Sequence, residues 1–402
     1  MKRKIIYLTS FGDLGVLYTS FFNFLKLLEK NFDQVMIINS DNLRIFSKKI
    51  KFYDNKKIIN KFPKKINFIN PLNFGELKKL VDFKNSVVIN NTGRDFNHYR
   101  LIYFLSKKKI PQVLVSHIGN LQGLVYYFFN KNFRYVFLLF TKHLPKKIAA
   151  ILTLLKIFSK IDIRFTSNKK LYKNFHLNKK KIFSKPSIYK DMILVKSKQF
   201  DQGVRTNKQN EKFITLIDFQ PDYREMYEST GALKKIKIKN HYSNSINLLK
   251  KMKKTFNKEI VICIHPLYDL KKISKIYKGF KVVKLKTKEF IEKSHIVMFY
   301  DSSSVVDAII LKKKIIALNS DLYFGKKNMS NLWTDIIPFK KINISKKLEF
   351  NKKNLTLELD KKIVLYDRYL NKFASKDQKE DGSNKIIRII KEKFFINETR
   401  FK

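Results

Sequence analysis

The chain has 402 residues, 44% apolar and 14% aromatic, enough for two domains with separate cores and too hydrophobic for a disordered polymer. Its formal net charge is +52, yet only 11 of the 85 basic residues are arginine, the residue that base readout and bidentate phosphate clamps favour. The lysine excess therefore reads as a surface coat, and no nucleic-acid partner is expected. The one cysteine, Cys263, excludes an intrachain disulfide and a cysteine-based metal site, and suits a reducing cytoplasm.

The charged start, Met1-Lys-Arg-Lys, leads into an apolar run too short for a signal peptide, so Ile5 to Leu8 reads as a first strand. The turn Gly12-Asp13-Leu14-Gly15 follows, then a helix from Val16 to Phe32. Strands are expected at Gln34–Asn39, Ile66–Ile69, Ser86–Asn90 and Gln112–Ser116, with a helix from Asn97 to Lys108. Strands alternating with helical patterns imply βαβ units and a parallel sheet. The stretch Leu121 to Phe158 is unusually apolar and aromatic, but lysines and an arginine interrupt it before any run reaches the ~20 residues that span a bilayer. It reads either as buried helices or as an interfacial surface against an anionic membrane.

After Ile161–Phe165 the pattern turns polar between Lys196 and Lys212, the expected interdomain linker. A second α/β region follows, with strands at Phe213–Phe219, Glu259–Ile264, Phe280–Leu285, Ile296–Tyr300 and Lys314–Leu318. Helices are expected at Asn244–Phe256, Leu270–Tyr277, Thr287–Lys293 and Ser303–Leu311, and a last one at Asn384–Phe394. The resulting division is residues 1–195, 213–375 and a tail at 376–402. Both domains are expected to be doubly wound and Rossmann-like, facing a cleft.

Two strand ends carry the chemistry. His265-Pro266 follows Glu259–Ile264; proline ends the strand and presents the imidazole at the sheet edge, where it can donate to a phosphate oxygen. Asp301-Ser302-Ser303-Ser304 lies between a strand and a helix. A serine there is a preferred N-cap, which explains one hydroxyl, while three hydroxyls at a helix start suit an anion. Asp307, on the same helix, is placed to reach a ribose hydroxyl. In the first domain Asp13 and His117 each follow a strand and are the two candidates for a general base. The cluster from Ile217 to Glu225 has no assigned role. No Gly-rich Lys phosphate loop, His-Glu-x-x-His or Gly-x-Ser-x-Gly is present.

With His265-Pro266 and the later Ser302-Ser303-Ser304, the chain resembles GT-B glycosyltransferases. More narrowly, it resembles bacterial surface-polysaccharide transferases of the sialyl, Kdo and CDP-glycerol types. The resemblance implies that His265, Pro266, Ser302, Ser303 and Ser304 grip the donor's phosphate and that Asp307 binds its ribose. It implies a metal-independent, inverting transfer of a sugar or glycerol phosphate, with no cofactor. The donor would be CMP-, CDP- or UDP-linked and the acceptor a carbohydrate or lipid-linked hydroxyl. The setting would be cytoplasmic, with peripheral attachment to the inner face of the plasma membrane as an extension. Two departures stand out. Gly12-Asp13-Leu14-Gly15 poorly matches the acid-acid-Gly base motif, and Lys312-Lys313-Lys314 stands where many GT-B chains carry glycine and proline. A nucleotide-sugar 2-epimerase is the alternative, although such chains usually show Ser-Gly-Gly before a Glu; a basic binding protein without catalysis is a third reading.

Overall fold

The computed structural model describes residues 2–9, 14–43, 56–91, 98–116, 148–179, 187–197, 200, 211–218, 235–266, 268–300, 302, 304–320, 337 and 339–395. They form two compact units, one from residues 2–116, 148–200 and 372–395, the other from 211–371.

The first unit is a parallel sheet of β1 (Lys4–Thr9), β2 (Gln34–Asn39), β3 (Ile66–Ile69), β4 (Ser86–Asn90), β5 (Gln112–Ser116), β6 (Ile161–Thr166) and β7 (Tyr189–Leu194). Its order is β3-β2-β1-β4-β5-β6-β7. Helices α1 (Leu14–Asn31), α2 (Lys56–Ile59), α3 (Phe74–Leu80), α4 (Tyr99–Lys107), α5 (148–154) and α6 (Lys169–Lys179) accompany the strands. Ile5 and Tyr7 of β1 pack toward Leu17, Phe21 and Leu25 of α1, whereas Ile6 and Leu8 face Leu77 of α3 and Leu101 of α4. Both faces of the sheet are thus covered, which is why its strands read as continuous apolar runs.

The second unit contains β8 (Phe213–Ile217), α7 (Lys235–Phe256), β9 (Glu259–Ile264), α8 (Leu270–Ile276), β10 (Lys281–Lys284), α9 (Thr287–Glu292), β11 (Ser294–Phe299), α10 (Val305–Ile310), β12 (Lys314–Asn319), β13 (Lys340–Asn343), α11 (Lys352–Ile363) and α12 (Tyr366–Phe373). The sheet is parallel in the order β10-β9-β8-β11-β12-β13. The order of winding reverses about β8: β9 and β10 build outward on one side, β11 to β13 on the other. The switch point therefore lies between β8 and β11, where open α/β sheets bind ligands.

The last helix, α13 (Gly382–Phe394), packs with the first unit: Ile386, Ile387 and Ile390 join the core that surrounds α1. Reciprocal bonds hold the returning chain, from the Ser167 hydroxyl to the Phe373 carbonyl at 3.2 Å and from the Ser375 hydroxyl to the Ser167 carbonyl at 2.7 Å. Gly382 is required by contact, because a Cβ there would lie 2.1 Å from the Lys196 carbonyl oxygen.

The two sheets and the two-domain α/β reading agree with the sequence. β7, β13, α2, α3, α6, α11 and α12 have no counterpart among the elements expected from the sequence, and α7 starts nine residues before the expected Asn244. Its opening, Lys235-Ile-Lys-Ile-Lys, alternates like a strand. Ile238, Tyr242, Leu248, Leu249, Met252 and Phe256 nevertheless face the core at helical spacing.

Candidate functional site

The C-terminal edge of the second sheet gathers most of the residues singled out in the sequence. His265 follows β9. Its carbonyl accepts the Tyr268 N–H at 3.0 Å, closing a turn with Pro266 in the second position, where its fixed φ belongs. The imidazole is exposed by area, yet dense protein surrounds it, which together describe a recess. Desolvation first and the Lys284 ammonium second push its pKa down to about 4. Solvent access tempers the shift but not its sign, so the ring is neutral at physiological pH and donates one N–H without a charge.

The positive charge beside it comes from Lys284, the last residue of β10 and the register partner of Ile264. Its ammonium donates to the Tyr268 carbonyl at 2.8 Å, and desolvation lowers its pKa against the pull of Asp269. Sequence reasoning missed Lys284. The available signal was a lysine ending an apolar strand next in sheet order to the His-Pro strand.

Across β8, Ser302 and Ser304 follow β11. The Ser302 hydroxyl accepts the Ser304 N–H at 3.2 Å, and the Val305 N–H donates to the Ser302 carbonyl at 3.2 Å. Ser302 thus does the local capping, while the Ser304 side chain makes no cap bond to α10. Asp307 sits in the first turn of α10, half-buried, its N–H donating to the Ser304 carbonyl at 3.1 Å. The serine cluster and His265 flank the central strand, about 10 Å apart across two strand spacings. Asp13, His117 and Ser303 lie outside the described residues, as do 219–225 and 117–147. The strands leading to Asp13 and His117 are β1 and β5.

Beneath this edge lies a buried polar and aromatic layer. Asp218, the residue after β8, donates its N–H to the Cys263 carbonyl at 3.0 Å and accepts the Tyr277 hydroxyl at 3.0 Å. Desolvation, and then the Asp218 charge, raise the Tyr277 pKa, which keeps the phenol a donor. The Tyr300 hydroxyl pairs with Ser245 at 2.7 Å, and the His241 ring lies tilted against Tyr300, centroids 5.1 Å apart. His241 and Ser245 occupy the buried stripe of α7 at i, i+4, a signal hidden by the expected late helix start. Cys263, buried in β9, has its thiol pushed up to about 12 by desolvation, which leaves it inert.

The lysine triplet is accounted for by structure. Lys312 occupies the left-handed position that ends α10, at φ 52°, with Lys313 N–H bonded to the Ala308 carbonyl at 2.9 Å and Lys312 N–H to Ile309 at 3.0 Å. This is the Schellman closure that usually takes glycine. Lys312 pairs with Asp367 at 3.6 Å, Lys313 with Glu211 at 3.2 Å and Lys314 with Asp360 at 3.2 Å. Glu211 also accepts from His295 Nδ1 at 2.8 Å. Burial opposes ionisation of Glu211, but His295 and Lys313 outweigh it and hold its pKa below the usual value.

The sequence matches no protein-family model and none of the curated proteins. Solved structures do match in fold. The UDP-GlcNAc 2-epimerase of Methanocaldococcus jannaschii, in complex with UDP-GlcNAc and UDP, is 17% identical with a TM-score of 0.51, over 98% of this chain and 100% of that one. The wall teichoic acid polymerase TagF is 13% identical, TM-score 0.54, over 99% and 90%. UGT2 of Phytolacca americana, complexed with UDP-2-fluoro-glucose and pterostilbene, is 11% identical, TM-score 0.51, over 98% and 99%. At these identities the likeness is one of fold: the chain has the two Rossmann-like domains of GT-B enzymes.

Proposed function

We propose that this protein is a nucleotide-sugar-dependent transferase, moving a sugar or glycerol phosphate from a CMP-, CDP- or UDP-linked donor to an acceptor hydroxyl. One observation carries the reading. A neutral imidazole donor, a lysine and serine hydroxyls line the C-terminal edge of one sheet, on both sides of its switch point. Such a surface suits a nucleotide phosphate. His265 and Lys284 would take the charge that gathers on the phosphate as the bond to the transferred group breaks, with Ser302 and Ser304 donating from the other side and Asp307 on the ribose. Asp13 or His117 would remove the acceptor's proton, and the attacking oxygen would enter opposite the departing phosphate, inverting the centre. No metal takes part in this scheme.

The UDP-GlcNAc 2-epimerases among the fold relatives support a second reading, in which the bound nucleotide sugar is isomerised without an acceptor. A thermal-shift panel of CMP, CDP, UDP and GDP with their conjugates, on wild type and His265→Ala, tests the site. Stabilisation by one nucleotide that His265→Ala abolishes is expected. No shift with any of them would overturn the proposal. The stabilising conjugate, incubated alone and with acceptor glycans, then separates the readings: turnover without acceptor to an epimer means epimerase, and acceptor-dependent release of nucleotide means transferase.

A further inference from the structure

Helix α5 and the turn after it hold apolar side chains outward in an ordered conformation. The helix buries Ala149 with Ile102 and Phe158, while Ile151, Leu154, Leu155 and Ile157 stay 54%, 42%, 63% and 47% exposed. The turn is well bonded: Lys156 takes φ 61°, its N–H reaches the Thr153 carbonyl at 3.2 Å, and the Phe158 N–H reaches Leu152 at 3.1 Å. This geometry tucks Phe158 in and leaves Leu155 and Ile157 out, using a left-handed lysine to do so.

The next residue sets the electrostatics. Ser159 bonds the Ser106 hydroxyl through its N–H at 2.9 Å, which brings the last turn of α4 alongside. Lys107, Lys108 and Lys109 there are exposed, as are Lys156 and Lys160. No carboxylate occurs in residues 98–111 or 148–161. The first acid beyond, Asp162, is taken up by Lys190 at 2.6 Å and by the Gln112 N–H at 2.8 Å.

We propose that this knob docks the protein on an anionic lipid bilayer, with Leu154, Leu155 and Ile157 entering the boundary between headgroups and acyl chains and the five lysines meeting lipid phosphates. Among the described residues the exposed apolar tip, four side chains, is small for a stable protein interface, whereas an apolar tip rimmed by like charge matches both layers of an anionic membrane surface. No helix among the described residues is long and apolar enough to cross a membrane, so the contact is interfacial. The proposal stands independently of the enzymatic reading.

Because a charge of +52 will adsorb to acidic vesicles by any face, the test must isolate the apolar part. Sedimentation with phosphatidylglycerol-containing and pure phosphatidylcholine vesicles is measured at low and high salt, where surface charge is screened. The wild type is expected to keep binding the acidic vesicles at high salt. Leu154→Ser/Leu155→Ser/Ile157→Ser, all exposed and therefore tolerated by the fold, should lose that binding by about tenfold or more. Leu72→Ser/Val364→Ser, exposed apolar residues elsewhere, should not. Equal binding of the triple variant and wild type at high salt overturns the proposal. So does a wild-type dimer that the triple variant dissolves without any change in vesicle binding, which would make the knob a subunit contact.

Discussion

The two sheets share the order 3-2-1-4 about their first strand, yet their C-terminal edges differ in kind. In the first domain β1 to β6 end at Thr9, Asn39-Ser40, Asn70, Asn90-Asn91, Ser116 and Thr166-Ser167: amides and hydroxyls throughout. They bond one another, Asn39 to Asn70 at 2.8 Å and Asn91 to the Tyr7 hydroxyl at 2.9 Å. In the second domain β8 to β11 end at Asp218, His265, Lys284 and Tyr300 with Ser302, where ionisable groups dominate, while β12 and β13 end at Asn319-Ser320 and Asn343. One topology thus carries mainly amides and hydroxyls at these strand ends of the first sheet, and ionisable groups at the strand ends around the switch point of the second. The ionisable groups around the switch point suit the phosphate of the proposed donor.

The largest expected effect would show whether the domains can be perturbed separately. Gly382 is the first residue of α13, where propensity gains little, and Gly382→Ala drives a methyl into the Lys196 carbonyl, an overlap expected to cost about 2–3 kcal/mol. Urea unfolding should show most of that loss. Because α13 packs on the first domain, the nucleotide-induced thermal shift should survive in the variant; loss of that shift would mean the two edges are not separable.

At the charged edge, Lys284→Met and His265→Ala should each weaken nucleotide binding by tenfold or more, a hydrogen bond to a charged group being worth about 1.5–3 kcal/mol. Asn91→Ala, at the end of β4 in the first domain, should leave nucleotide affinity within about twofold by calorimetry. Equal losses in all three variants would erase the contrast between the domains.

The pH dependence sharpens the same contrast. The folded His265 pKa of about 4 lies below its ordinary 6.5, so the unfolded chain binds the proton more readily. Its contribution to stability is complete above pH 6.5 and is lost as pH falls from 6.5 toward 4. Denaturation midpoints should decline across that window, and the decline should be shallower in His265→Asn. Unchanged slopes would mean that the ring is solvated like an ordinary histidine.

How much of this was legible depends on what each residue competes with. β9 and β11 stand out because an apolar run breaks abruptly into His265-Pro266 and Ser302, and a helical pattern follows. Lys284 is hard to single out for the opposite reason: among 85 basic residues one lysine at the end of an apolar strand has little contrast. β7 escaped because Lys190 and Asp191 interrupt it, as suits a strand at the sheet's edge, half in solvent. The return of α13 to the first domain rests on a backbone contact between Lys196 and Gly382, and no local pattern encodes a contact between positions so far apart.

The smallest effect tests why this chain departs from glycine where helices end. It has only 11 glycines in 402 residues, and lysine fills the left-handed position after α4, α5 and α10, at Lys109, Lys156 and Lys312. A side chain there costs about 1 kcal/mol relative to glycine. At Lys312 the exposed pair with Asp367, at 3.6 Å, returns only a few tenths of that. Lys312→Gly should therefore stabilise the second domain by about 0.5–1 kcal/mol, while glycine's extra freedom in the unfolded chain holds the gain at the lower end. The Asp367→Asn variant isolates the pair: alone it should cost a few tenths of a kcal/mol at low salt and nothing at high salt. A stability loss in Lys312→Gly would mean that the Lys312–Asp367 pair outweighs the strain, and that lysine holds this position for the contact it makes.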